Sequence, residues 1–151
     1  MIDDVCALLV HNRSLHVTQL VLMLEALGIK CREAATSSAV REELNGVQVP
    51  QVVFTDTLYA DGDWKDVVHL AQGARQATNV IVVSRLEDVR LYLDTIDFGA
   101  FDFIAPPYQE SDVSHLMHCV ARNAAGRRKD QGRMLPRLAT AAAAAPRLEC
   151  A

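Results

Sequence analysis

The sequence lacks any apolar run near the roughly 20 residues that a membrane helix needs, so a spanning segment is not expected. Its four cysteines, Cys6, Cys31, Cys119 and Cys150, form no CxxC pair. That excludes a disulfide framework and a zinc ribbon and fits a reducing cytoplasm. A basic leader is also missing. The start, Met1-Ile2-Asp3-Asp4, is acidic, and export is not expected. Positive charge is scarce through residue 121, where 8 Lys and Arg face 17 Asp and Glu, a net −9. Such a surface repels phosphates and is a poor nucleic-acid binder by itself. Residues 122–151 reverse the sign, with 7 basic and 2 acidic residues, a net +5.

What is present is an ordinary domain's worth of chain. With 151 residues, half of them hydrophobic, one sizeable core can be buried. Val5-Cys-Ala-Leu-Leu-Val10 reads as a strand buried on both faces. Val17, Leu20, Val21, Leu24 and Leu27 then recur at helical spacing, with Ser14 as the expected N-cap and Gly28 as the stop. A weaker strand at 31–35 and a short helix at 38–44 follow, the helix ended by Asn45-Gly46. The third strand is Gln51-Val-Val-Phe-Thr55, followed by Asp56 and a turn-rich loop at 59–63. Val67, Leu70, Ala71 and Ala74 mark a helix, Val80–Val83 the fourth strand, and Val89, Leu93 and Ile96 the next helix, stopped by Gly99. Phe101–Ala105 is the fifth strand, and Val113, Leu116, Met117 and Val120 mark the last helix.

Five strand–helix units in strict alternation imply an α/β fold, one doubly wound parallel sheet with helices on both faces. Sites in such sheets form outside the carboxyl ends of the strands. The residues to weigh are therefore His11, Asn12, Asp56, Ser84 and Pro106. Apolar periodicity stops near Ala124. Residues 1–121 are thus read as one domain and 122–151 as a basic, Ala/Arg-rich, disordered tail.

Three stretches at the strand ends are similar to a known family. Pro50-Gln-Val-Val-Phe-Thr-Asp56-Thr-Leu-Tyr-Ala-Asp-Gly62 resembles the phosphoacceptor strand and loop of response-regulator receiver domains. Val80-Ile-Val-Val-Ser84 resembles the strand ending in a switch hydroxyl. Asp97-Phe-Gly-Ala-Phe-Asp-Phe-Ile-Ala-Pro-Pro-Tyr108 resembles the segment that carries a Lys-Pro pair. The resemblance covers about residues 1–121 and implies a flavodoxin-like strand order, 2-1-3-4-5. It places Asp56 at the phosphoacceptor position (4-aspartylphosphate) and Ser84 and Phe103 at the switch positions. It also implies a cis bond before Pro107.

Other family parts are replaced. The acidic pair that helps hold Mg²⁺ falls on His11 and Asn12, and the phosphate-pairing Lys falls on Pro106. Without a cation, a phosphoryl donor meets Asp56 charge on charge. One unit pair at about 4 Å repels by about 4 kcal/mol at an effective dielectric near 20, roughly three decades in rate. Asn12 offers a carbonyl ligand, and a protonated His11 offers one positive charge in place of the metal.

The expected function follows: a stand-alone, degenerate receiver-like module of two-component (phosphorelay) signalling, cytoplasmic, not an enzyme and with no cofactor. Its expected partner is a protein, a histidine kinase or a downstream regulator, met through the fourth helix, fifth strand and fifth helix. No output domain follows in this chain, so output is expected through protein contacts or the tail. Nucleic acid and membrane are not expected partners. Two alternatives stand beside it. One is a working phosphoacceptor that uses Mg²⁺ and is phosphorylated on Asp56 by a histidine kinase. The other is a nucleic-acid-associated regulator acting through the basic tail. His115, His118 and Cys119 are read as a solvated helix face rather than metal ligands, and Cys6 and Cys31 as small buried hydrophobes. Ser84 with Glu87 also fits a local capping role, and Trp64 fits either local packing or an exposed contact.

Overall fold

The computed structural model describes residues 5–126, with side chains through residue 123. Met1–Asp4 and residues 127–151, which hold most of the expected tail, lie outside the described residues. The elements run β1 (Cys6–Val10), α1 (Leu15–Ala26), β2 (Lys30–Ala34), α2 (Ser37–Leu44) and β3 (Val52–Asp56). They continue with β4 (Leu58–Tyr59), β5 (Gly62–Asp63), α3 (Trp64–Gln72), β6 (Asn79–Val83), α4 (Val89–Phe98), β7 (Asp102–Ile104) and α5 (Glu110–Gly126). Five strands form one parallel sheet in the order β2-β1-β3-β6-β7. Counted among those five, the order is the expected 2-1-3-4-5.

The continuous apolar runs are explained by burial on both faces. Leu9, Phe54 and Val83 face a core under α1 and α5, while Leu8, Val53 and Val82 face one that includes Val40 of α2, Val67 and Val68 of α3 and, partly buried, Leu91 and Tyr92 of α4. Each such side chain contributes about 1.5–3 kcal/mol by leaving water. Gly28 stops α1 at φ +86° and Gly99 stops α4 at φ +124°, both in the left-handed region that favours glycine. Pro106-Pro107 is cis.

Several expectations need correction. The 59–63 loop contains a two-stranded antiparallel ribbon, β4 with β5. At its Gly62 a Cβ would lie 2.5 Å from Tyr59 Oη, so a larger residue there would have to displace the Tyr59 side chain. Trp64 is buried, edge-on to Phe98 at 5.4 Å, so local packing is its role. Cys6 and Cys31 are half-buried free thiols, not fully buried ones. The helix α5 runs on past residue 121 to Gly126, and Asn123 Nδ2 donates to Asn79 Oδ1 at 2.6 Å.

Candidate functional site

The site is built on the carboxyl edge of the sheet. β3 is buried throughout and delivers Asp56 at its end, 7% exposed. Beside it, β1 runs into His11, whose N–H still donates to Ala34 O at 3.0 Å. The chain must then reverse into α1 within three residues. It does so with Arg13 at φ +58°, an uncommon setting for a residue with a side chain. This turn brings Ser14 and His16 over Asp56.

The carboxylate of Asp56 has three donors. Its Oδ2 accepts from the Ser14 hydroxyl. Its Oδ1 accepts from the Thr57 N–H at 2.8 Å and lies 3.0 Å from His16 Nε2. Ser14 is the N-cap residue of α1 as expected, but its side chain does not cap the helix. Turned toward Asp56 to donate its O–H, the side chain leaves its oxygen out of reach of the helix N–H groups it would accept from as a cap. His16 is held in turn, because the Tyr108 hydroxyl donates to its carbonyl at 2.8 Å. Burial first, and then the charge of Asp56, push the Tyr108 phenol above its ordinary range, so it stays a donor.

His11 takes no part at Asp56. Its Nδ1 accepts from the Ser14 N–H at 3.1 Å, which leaves the proton on Nε2 to be donated to Glu33 Oε1 at 2.6 Å. The expectation that His11 could supply a charge beside Asp56 is therefore corrected: the imidazole there belongs to His16. Asn12 is exposed and makes no hydrogen bond among the described residues. The missed residues are Ser14, His16 and Tyr108. Their sequence signal was the close spacing of His11, Ser14 and His16 just past a strand end.

Across the sheet edge lie the other predicted positions. Ser84 is 7% exposed, and its hydroxyl accepts from Leu86 N–H at 3.3 Å. The capping expected of Ser84 with Glu87 is overturned, because Asp88 caps α4 by accepting from Leu91 N–H at 3.1 Å. Phe103 is buried against Tyr92, ring centroids 5.6 Å apart. Pro106 carries no donor. Between the two sides opens a cleft of about 930 Å³ walled by Ser14, His16, Asp56, Ser84, Arg85 and Pro106.

The donor set does not fit the Mg²⁺ that a working phosphoacceptor would use. A hard cation of that size wants several oxygen ligands, including one or two carboxylates. The oxygens of Asp56 already receive protein donors, and of the other carboxylates on the cleft wall, Glu87 and Asp88, the latter is engaged in capping α4. Among the described residues no group of three or more His, Cys, Asp and Glu is arranged to hold a metal ion, and His118 instead bonds Ser114 O at 2.8 Å.

No protein-family model matches the sequence. No curated protein matches it either. Solved structures do match. A response regulator receiver protein from Pseudomonas putida is 23% identical with a TM-score of 0.62, covering 76% of this chain and 95% of that one. A two-component response regulator from Clostridium difficile is 14% identical with a TM-score of 0.62, covering 79% and 97%. Full-length FixJ from B. japonicum is 16% identical with a TM-score of 0.70, covering 83% of this chain and 62% of that one. At these identities the likeness speaks to the backbone and not to the chemistry. The chain has the fold of response-regulator receiver domains.

Proposed function

We propose that the protein is a receiver-like module of two-component signalling whose Asp56 is not a working phosphoacceptor, and that it acts by protein contact rather than as an enzyme. The observation that carries this reading is the bonding of Asp56: the Ser14 hydroxyl, His16 Nε2 and Thr57 N–H already meet the two oxygens that a cation and a phosphoryl group would have to approach. Both oxygens of the nucleophile already accept protein donors, which attack would have to disturb. An incoming phosphoryl dianion would also find no Lys at Pro106. The proposed partner surface is α4, β7 and α5. Exposed apolar residues Val89 and Leu93 on α4 support it, with Leu86 just before the helix. The partner would be a histidine kinase or a downstream regulator.

The test is the intact mass of the full chain after incubation with a small phosphodonor and millimolar Mg²⁺. The expected result is no phosphoryl adduct. Stoichiometric labelling of Asp56 would overturn the reading and establish the phosphoacceptor alternative.

A further inference from the structure

The geometry points to Ser14 as an acyl-accepting nucleophile, with Asp56 as the base that takes its proton. This inference goes beyond the signalling reading and does not depend on it.

The first support is the arrangement of nucleophile, base and orienter. A serine becomes reactive when its hydroxyl donates to a fixed base, and that base is oriented by a third group. Ser14 donates to Asp56 Oδ2, and the other oxygen is pinned by Thr57 N–H and His16 Nε2. In the His16–Asp56 pair both side chains are nearly buried, 11% and 9% exposed, while Ser14 itself is only half-buried. The acceptor is thus reachable and the base sheltered, which is the order that nucleophilic chemistry needs.

The second support is the local backbone. Ser14 sits at a strand–turn–helix junction, entered through Arg13 in the left-handed region. Because its side chain turns to Asp56, nothing caps α1. The N–H groups of Leu15, His16 and Val17 have no hydrogen-bond partner among the described residues. These donors lie at the positive end of a 12-residue helix beside the Ser14 hydroxyl. They can meet the negative charge that develops on an acyl oxygen during attack. The open cleft leaves space for a small donor on that side.

Charge selects the donor class. A phosphoryl dianion is repelled by Asp56, which pairs with no Lys or Arg among the described residues (Arg85 lies on the cleft wall without bonding it), whereas a neutral activated acyl ester brings no charge to repel. In the step, Ser14 Oγ bonds to the carbonyl carbon and its proton passes to Asp56 Oδ2. The tetrahedral oxyanion then collapses and expels the ester's alkoxide or phenolate. The product is acyl-Ser14, which has lost the proton it donated to Asp56. Modification would therefore release the Oδ2 oxygen from the loop. Nothing in the step regenerates the free hydroxyl, so the expected behaviour is a single modification rather than rapid turnover.

The test uses the full chain with p-nitrophenyl acetate, read by intact mass and peptide mapping. One acetyl group is expected on Ser14, formed about a hundredfold faster than on the exposed Ser38 and Ser111 of the same molecule. Ser14→Ala should lose the adduct. Asp56→Asn, which keeps the side-chain shape and removes the base, should slow it at least about tenfold. The inference is overturned if Ser14 labels no faster than Ser38 and Ser111. Acetyl mapped to His16, or unchanged labelling in a folded Asp56→Asn variant, would overturn it equally.

Discussion

The two flanks of Asp56 are built on different plans. On the β1–α1 side the polar groups are bonded to one another: Glu33 to His11, His11 to Ser14, Ser14 and His16 to Asp56, and Tyr108 to the His16 carbonyl. On the β6 and β7 side no described group bonds to the carboxylate. Ser84 is occupied with Leu86, Pro106 has nothing to donate, and the cleft opens between. The contrast teaches how one sheet edge can keep its central carboxylate while the groups around it change. The cation of a phosphoacceptor site neutralises that carboxylate from outside the chain. Here a hydroxyl, a backbone N–H and an imidazole hydrogen-bond it from within. Those donors also tie the first loop to the sheet.

The largest expected effect tests that tie. Asp56→Ala leaves Thr57 N–H, the Ser14 hydroxyl and His16 Nε2 without their acceptor. Two of these can turn to water in the cleft, so the expected loss is about 2–3 kcal/mol. Urea unfolding measures it. A loss below about 0.5 kcal/mol would mean the bonded flank contributes nothing to stability.

A second experiment converts one plan into the other. His11→Asp, Asn12→Asp and Pro106→Lys together restore the receiver pattern around Asp56. His11→Asp also removes the imidazole that bonds Ser14 N–H and sets a carboxylate beside Glu33. The metal-free variant should therefore lose about 1–2 kcal/mol by repulsion. Added Mg²⁺ should reverse that loss by mass action, seen as a rise in Tm. If a folded triple variant is indifferent to Mg²⁺, the strand ends have been aligned wrongly.

Strand and helix positions were legible because they rest on spacing. Val17, Leu20, Val21 and Leu24 repeat at helical period and are the buried face of α1. Asp56 was legible because a buried strand can end in only a few places. The bonded flank was not. Ser14 fits a cap by type, and nothing local says that a carboxylate 42 residues away will compete for its hydroxyl. His16 occupies a polar position of an amphipathic helix, where solvent is the ordinary reading. Only the parallel pairing of Val10 with Thr55 brings the two loops together. The misplaced expectation for His11 has the same origin. The strand end sets His11 next to the site, but Glu33 on the neighbouring strand decides where the ring turns.

Alkaline pH tests the bonded flank more gently. Tyr108 is raised by burial and by Asp56, and Tyr59 by burial, while the Cys31 thiol is pushed from 9.0 up to about 12, chiefly by burial. For each, the folded chain holds its proton more tightly than the unfolded chain. The stability contribution is fully present below the unfolded value and is lost as pH rises toward the folded one. Tm should thus be flat from neutrality to about 9 and fall above it. Tyr108→Phe should reduce that fall. A Tm that holds steady well above 10 would show that these groups titrate alike in both states.

The smallest effect is expected on the open flank, and its smallness is the point. Ser84 accepts one bond, from Leu86 N–H at 3.3 Å, and Leu86 is exposed, so water can replace the hydroxyl. Ser84→Ala should therefore cost no more than about 0.5 kcal/mol, although Ser84 is as buried as Asp56. The pairing of variants sharpens the comparison. Ser84→Ala and Asp56→Ala share no hydrogen bond, so their losses should add within about 0.5 kcal/mol. Ser14→Ala and Asp56→Ala remove the two ends of one bond, so their combined loss should fall short of the sum by about 1 kcal/mol. Urea unfolding of the five variants gives both cycles. A coupling between Ser84 and Asp56 as large as that between Ser14 and Asp56 would mean that the cleft closes in solution and the hydroxyl reaches the carboxylate. The two flanks would then act as one site, and the open side would have to be counted among the groups that hold Asp56.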